Sequence, residues 1–168
     1  MKKVAINGFG RIGRAYVRLA HACKDIEIAA INDLMDTETG AYLLQYDTTY
    51  GMFEEKVSAD GNNALRIGSK KIAWFSIKTP TELPWRALGI DAVIEATGMF
   101  ASYEKAYAHN MAGAKHTIIT APVKDEPPAN VDAATVLIGI NDNQAKQCST
   151  TAKPVSYTHL TLPTTPYV

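Results

Sequence analysis

The sequence predicts an α/β fold, a doubly wound and mostly parallel sheet with a small antiparallel insertion. Three observations carry this. Short apolar runs at residues 4–6, 27–33, 92–96 and 116–120 alternate with stretches of helical character. Several of these runs are continuously apolar, as strands covered on both faces require. The first of them feeds Gly8, Gly10 and Gly13, a spacing that makes a strand, a tight turn and a helix start in one piece.

Residues 4–6 are the first strand. Gly8 allows the sharp turn, Gly10 lets bare backbone approach a pyrophosphate, and Gly13 lets the new helix lie close against the strand. The free N–H groups of the helix's first turn, with the positive end of its dipole, then face the anion. Residues 15–22 continue as helix formers without a breaker. Residues 27–33 form a second buried strand ending in Asp33, twenty residues beyond Gly13. An acid there accepts hydrogen bonds from both hydroxyls of an adenosine ribose and repels a 2′-phosphate, which predicts NAD rather than NADP. Alone, the glycine spacing also fits a plain glycine-rich turn; the strand, the helix and Asp33 give it its context.

Residues 38–46 keep helical spacing behind a cap at Asp36 or Thr37, and 47–53 read as a polar turn leading to an aromatic. Short strands follow at 56–58, 65–67 and 70–76, separated by Asp60-Gly61-Asn62-Asn63 and Gly68-Ser69 as hairpin turns. Pro80 and Pro84 bound a loop that ends in Trp85. Residues 92–96 are the next central strand, followed at once by Thr97-Gly98-Met99-Phe100. A helix over 104–114 stops at Gly113, a strand at 116–120 ends before Ala121-Pro122, and 136–140 form one more apolar strand. Ligands of such sheets bind outside the carboxyl ends of the strands, which places Asn7, Asp33, Thr97 and Thr120 on one crevice.

With 168 residues the chain suits one domain. Lys plus Arg and Asp plus Glu both number 17, so no basic field exists to draw nucleic acid or an anionic membrane non-specifically. No apolar run is long enough to cross a bilayer, and strand one begins too early to leave room for a signal peptide. Cys23 and Cys148 have no CxxC spacing or clustered histidines, which predicts neither a metal site nor a disulfide framework and suits a reduced, cytoplasmic setting. Cys23 reads as a small core residue of the first helix. His21, His109 and His116 read as structural residues with no visible partner for acid–base work.

Taken together, residues 3–14, Ile31-Asn-Asp-Leu34, Gln45-Tyr-Asp-Thr-Thr-Tyr-Gly-Met-Phe53, Leu83-Pro-Trp85, Glu95-Ala-Thr-Gly-Met-Phe100, Ala112-Gly-Ala-Lys115, Ala121-Pro-Val-Lys124 and Gly139-Ile-Asn141 resemble the N-terminal half of phosphorylating glyceraldehyde-3-phosphate dehydrogenases, over about residues 2–147. Erythrose-4-phosphate dehydrogenase is the alternative close by; a stand-alone NAD-binding or sensing module is the alternative from another class. The resemblance implies a Rossmann-type domain and NAD contact at Asn7, Gly8, Gly10, Arg11 and Ile12 along the pyrophosphate turn. It further implies Asp33 at the adenosine ribose, Lys78 near the adenine, Thr97, Gly98 and Phe100 along the adenine and nicotinamide-ribose stretch, and Thr120 farther in. Phe100 equally suits plain core packing, Arg11 a surface ion pair and Lys78 a solvated loop charge. The resemblance also implies a glycolytic, homotetrameric parent enzyme.

The chain departs from that family at its C-terminal end. The family's chemistry needs a cysteine thiolate in a Ser-x-x-Ser-Cys-Thr-Thr-Asn-Cys segment, and a histidine to activate it. Counting from Gly139-Ile-Asn141, that cysteine falls near position 158, where Thr158 stands. Cys148, in Gln147-Cys-Ser-Thr-Thr-Ala152, comes about ten residues early and lacks the following Asn-Cys, so no catalytic residue is assigned. Residues 155–164 read as a translated transposon-end adapter of the kind used in shotgun libraries. The expected division is therefore an NAD-binding domain over 1–148, a suspect junction over 149–154, a non-native tail over 155–168, and no catalytic domain.

Overall fold

The computed structural model describes residues 1–129, 131–137 and 139–152. Strand β1 (Lys2–Asn7) leads into α1 (Arg11–His21), β2 (Ile26–Asn32) and α2 (Thr37–Gln45). A two-stranded ribbon, β3 (Tyr46–Asp47) and β4 (Gly51–Met52), precedes the insertion β5 (Val57–Ala59), β6 (Ala64–Ile67) and β7 (Lys70–Phe75). After a 3₁₀ turn (Pro80–Glu82) come α3 (Trp85–Leu88), β8 (Ala92–Glu95), α4 (Tyr103–Ala106), α5 (Ala108–Met111), β9 (His116–Ile119), β10 (Ala133–Thr135), α6 (Asp142–Ala145) and β11 (Thr150–Ala152).

Among the described residues one sheet runs in the order β10-β11-β9-β8-β1-β2-β7-β6-β5, and only the β5–β6 and β6–β7 pairs are antiparallel. This is the doubly wound sheet with the expected insertion. The chain winds outward from β1 in both directions, so the strand order reverses between β1 and β8, where Asn7 pairs with Glu95.

Both faces of the central strands are covered, and alternation along β1 shows how. Val4 and Ile6 join Val17, Ile31, Leu44, Leu65, Ile67 and Trp74 on one face, while Ala5 joins Ala30, Leu83, Trp85, Ile90 and Val93 on the other. The alanines of the second face leave room for the Trp85 indole, which is fully buried. Helix α1 buries Gly13, Val17 and Ala20, an i, i+4, i+7 stripe. Asp36 caps α2, its carboxylate accepting from Thr39 N at 2.7 Å.

Helix α1 begins at Arg11, directly on the glycine turn. Three details differ from the sequence reading. The expected helix over 104–114 is two short helices meeting at Tyr107, which keeps right-handed helical dihedrals, and Gly113 ends the stretch at φ 108°. The expected strand at 136–140 is corrected: pairing occurs earlier, at Ala133–Thr135, while Leu137 and Ile140 are exposed. The reason is local, because Gly139 takes φ 86° and the Asn141 side chain holds Leu137 N and Thr135 O in a turn, at 2.7 and 2.9 Å. Cys23 is also corrected, since it lies beyond the end of α1 and is exposed. Thr158 and the tail over 155–168 lie outside the described residues.

Candidate functional site

A crevice of about 570 Å³ opens at the carboxyl ends of β1, β2, β7 and β8. Asn7, Gly8, Gly10, Asp33, Lys78, Thr97 and Phe100 all line it, so the structure brings seven sequence-predicted residues together. Arg11 and Ile12 are exposed on the first turn of α1, and Gly98 is exposed beside Thr97. Thr120 follows β9, where its hydroxyl donates to the Glu95 carbonyl at 3.0 Å, outside the lining residues. A separate depression of about 320 Å³ lies at the amino ends of β1, β2 and β7 and contains none of these residues.

The three glycines answer to different neighbours. A Cβ on Gly8, which has φ 95°, would lie 2.6 Å from Thr97 N, and one on Gly13 would lie 2.1 Å from the Gly8 carbonyl oxygen. These two are demanded by the protein's own packing. A Cβ on Gly10 would meet nothing within 4 Å. Gly10 is also the N-cap of α1 and offers no side-chain cap, and the helix's first turn carries no acid. That turn therefore presents backbone donors and a positive dipole end beside open space, the fit that a pyrophosphate requires.

Asp33 stands across this turn. One carboxylate oxygen accepts from Phe9 N at 2.5 Å and the other from Met35 N at 2.9 Å. It thereby ties the glycine loop to the end of β2, and its further lone pairs remain for a donor such as a ribose hydroxyl. Phe100 lines the crevice, half-buried, and stands edge-on to His109 at 6.3 Å between ring centroids.

Behind the lining runs a chain of polar side chains that sequence reasoning missed. The Asn32 amide exchanges two bonds with the Ile77 backbone, both at 2.9 Å, and donates to Asn7 Oδ1 at 2.7 Å. Asn7 Nδ2 donates to Glu95 Oε2 at 2.6 Å. Glu95 also receives His109 Nε2 at 3.0 Å, Thr97 N at 2.8 Å and the Thr97 hydroxyl. Burial pushes the Glu95 carboxyl upward, but the bonds from His109, Thr97 and Asn7 outweigh it and hold the group below the usual glutamate range. His109, read from the sequence as structural with no visible partner for acid–base work, is fully buried among Trp85, Glu95 and Asn7, whose Nδ2 lies 3.3 Å from Nε2. Nothing in residue spacing pointed to this chain, since Asn7 and Glu95 are 88 positions apart.

Cys148 precedes β11 and its carbonyl accepts from His116 Nδ1 at 3.2 Å, at the amino ends of the parallel strands, opposite the crevice. Burial, with Asp132 nearby, pushes its thiol up. No group of three or more His, Cys, Asp or Glu that could hold a metal exists among the described residues, and none of their helices is long and apolar enough to cross a membrane.

Residues 2–103 match the family model of the glyceraldehyde 3-phosphate dehydrogenase NAD binding domain. The chain belongs to this family. It is 49% identical over 148 residues to glyceraldehyde-3-phosphate dehydrogenase of Thermotoga maritima, covering 87% of this chain and 42% of that protein. The enzyme of Buchnera aphidicola is 48% identical over 132 residues, covering 79% and 40%. The chromosomal enzyme of Cupriavidus necator is 46% identical over 159 residues, covering 93% and 46%. The chain thus spans less than half the length of these curated relatives. All the crevice-lining residues fall inside the matched span, and NAD is the cofactor of this domain.

Proposed function

We propose that this chain holds NAD for the oxidation of glyceraldehyde 3-phosphate to an acyl phosphate, and that it has no turnover by itself. NAD supplies the hydride acceptor. In this reading Gly8, Gly10 and the backbone of Arg11 and Ile12 bind the pyrophosphate, and Asp33 takes the adenosine ribose. Lys78 lies by the adenine, Asn7, Thr97, Gly98 and Phe100 line the rest, and Thr120 serves farther in.

The observation that carries the reading is the empty space at Gly10, where the uncapped start of α1 and the Asp33 carboxylate face one crevice. Absence of turnover is supported by Cys148, whose thiol is pushed up by burial at the amino ends of the parallel strands, opposite the crevice, and by His109, whose two ring nitrogens are both engaged. The same reading places the nucleophile in a second domain outside this chain, makes the parent enzyme a cytoplasmic homotetramer, and takes residues 155–168 as adapter-derived after a junction at 149–154. Reading the raw nucleotide sequence tests the tail: a genomic contig carrying it in frame would refute its adapter origin.

Calorimetric titration of the full chain with NAD and with NADP, beside an assay with glyceraldehyde 3-phosphate and phosphate, tests the function. Saturable NAD binding without turnover is expected. Turnover would assign chemistry to this chain, and absence of NAD binding would remove the proposal.

A further inference from the structure

Glu95 does not line the crevice, yet its carboxylate is the point on which two lining side chains converge. It is 1% exposed. Four donors reach its two oxygens: Asn7 Nδ2 and His109 Nε2 on Oε2, and Thr97 N and the Thr97 hydroxyl on Oε1. An ionised carboxylate only accepts, so each of these contacts has a defined direction. The Thr97 hydroxyl must spend its single proton on Glu95. Its oxygen also accepts from Met99 N at 3.0 Å. One lone pair is left on that oxygen, and Thr97 therefore meets the crevice as an acceptor alone.

The same logic orders the neighbouring amide. Asn7 Nδ2 is drawn to Glu95, and Oδ1 is turned to Asn32. His109 can donate through Nε2 because its Nδ1 accepts from the Trp85 indole at 3.1 Å. Indole N–H has no acceptor capacity, so the proton of a neutral His109 resides on Nε2. The Glu95 carboxylate is thus satisfied from behind as well as from the crevice side.

We propose that Glu95 is a positioning residue for dinucleotide binding: by accepting the hydrogen bonds of the Thr97 hydroxyl and the Asn7 amide, it makes Thr97 an obligate acceptor that selects a hydrogen-bond donor on the ligand. The proposal rests on the NAD reading above. The donor is a hydroxyl or an amino group of the bound nucleotide. A phosphate oxygen is disfavoured at this point and is directed to the start of α1.

The test is calorimetric titration of the full chain with NAD, with thermal unfolding beside it, for wild type, Thr97→Ser, Thr97→Val, Glu95→Gln and the Glu95→Gln/Thr97→Val pair. Thr97→Ser, which keeps the hydroxyl, is expected to retain more NAD affinity than Thr97→Val. Thr97→Val and Glu95→Gln are each expected to weaken NAD by roughly three- to tenfold, the range one hydrogen bond is worth. The pair is expected to be no weaker than the poorer single variant, because Glu95 acts through Thr97. A purely structural Glu95 would lower the unfolding temperature and leave NAD affinity unchanged, or its loss would add to that of Thr97→Val; either result overturns the proposal. If Glu95→Gln does not fold, the Thr97 variants decide, and full affinity in Thr97→Val overturns it. Absence of NAD binding by the wild type would refute the cofactor reading and this proposal together, whereas wild-type binding with unaltered variants would refute this one alone.

Discussion

The indole N–H of Trp85 donates to Nδ1 of His109 at 3.1 Å, joining the first residue of α3, before β8, to a histidine of α5, after it. Both are fully buried, and the pair closes the polar chain that lies behind the crevice. Trp85→Phe keeps an aromatic body but leaves His109 Nδ1 without its donor. The expected loss is about 1–3 kcal/mol, the cost of an unsatisfied buried acceptor. Chemical denaturation measures it, and nitrogen NMR of the imidazole should show the proton on Nε2 in the wild type. A wild-type spectrum with the proton on Nδ1 would contradict the assignment.

Glu95 gives the acid behaviour of the fold a definite sign. Its folded-state carboxyl is held low, so its contribution to stability is full above the unfolded value, about 4.3, and is lost as pH falls through the lower folded value. Glu95→Gln should therefore show a shallower fall in unfolding temperature below about pH 4.3 than the wild type. Asp91, held at about 2 by Lys115 and by the Lys3 backbone N–H, adds a second acid-sensitive contact, common to both proteins. Identical acid slopes would mean that Glu95 is protonated already in the native state.

The glycines separate packing from ligand. Gly8→Ala and Gly13→Ala push a methyl into backbone at 2.6 and 2.1 Å and should prevent a stable fold. Gly10→Ala enters open space at φ −71° and should change stability by about 1 kcal/mol or less, as N-cap substitutions do. Its effect should instead fall on NAD, whose affinity is expected to drop at least tenfold, because the methyl occupies the pyrophosphate's approach. Wild-type affinity in Gly10→Ala would place the pyrophosphate elsewhere.

Asp33→Ala should weaken NAD and narrow the preference over NADP. The structure adds a second effect, since the carboxylate also holds Phe9 N and Met35 N. Asp33→Asn keeps one oxygen acceptor and lacks the charge, so it should preserve more stability than Asp33→Ala while losing the discrimination against the 2′-phosphate. Paired titrations with both dinucleotides read this directly; an unchanged NAD to NADP ratio would remove Asp33 from selection.

The residues of local chemistry were legible from the chain alone. Gly8, Gly10 and Gly13 sit within six positions, and the apolar runs through Ile6, Ile31 and Ile94 announce strands covered on both faces. The network of Asn32, Asn7, Glu95, His109 and Trp85 was not, because its members lie on separate elements and touch only after the sheet is assembled. The run at 136–140 misled for a related reason. Its apolar residues suggested a strand, but Gly139 and Asn141 carry the local geometry, and turn chemistry prevailed over hydropathy. Cys23 misled because a small apolar residue next to a helix end is buried only if the following loop turns inward, and Ala22 to Asp25 stay exposed.

The bonds from Ile77 through Asn32 and Asn7 to Glu95 run crosswise over the ends of four adjacent strands. Element ends and loops ordinarily open locally, at a free energy well below that of global unfolding. Here no end can lift without breaking a bond to the next, so the floor of the crevice opens as one unit. Deuterium should enter the amides of Gly8, Ile77 and Thr97 at a common slow rate set by global unfolding, while the outer strands at Ala133–Thr135 and Val57–Ala59 exchange early. The cross-tie thus gives the binding site a rigidity that the sheet's own ladder of backbone bonds does not provide.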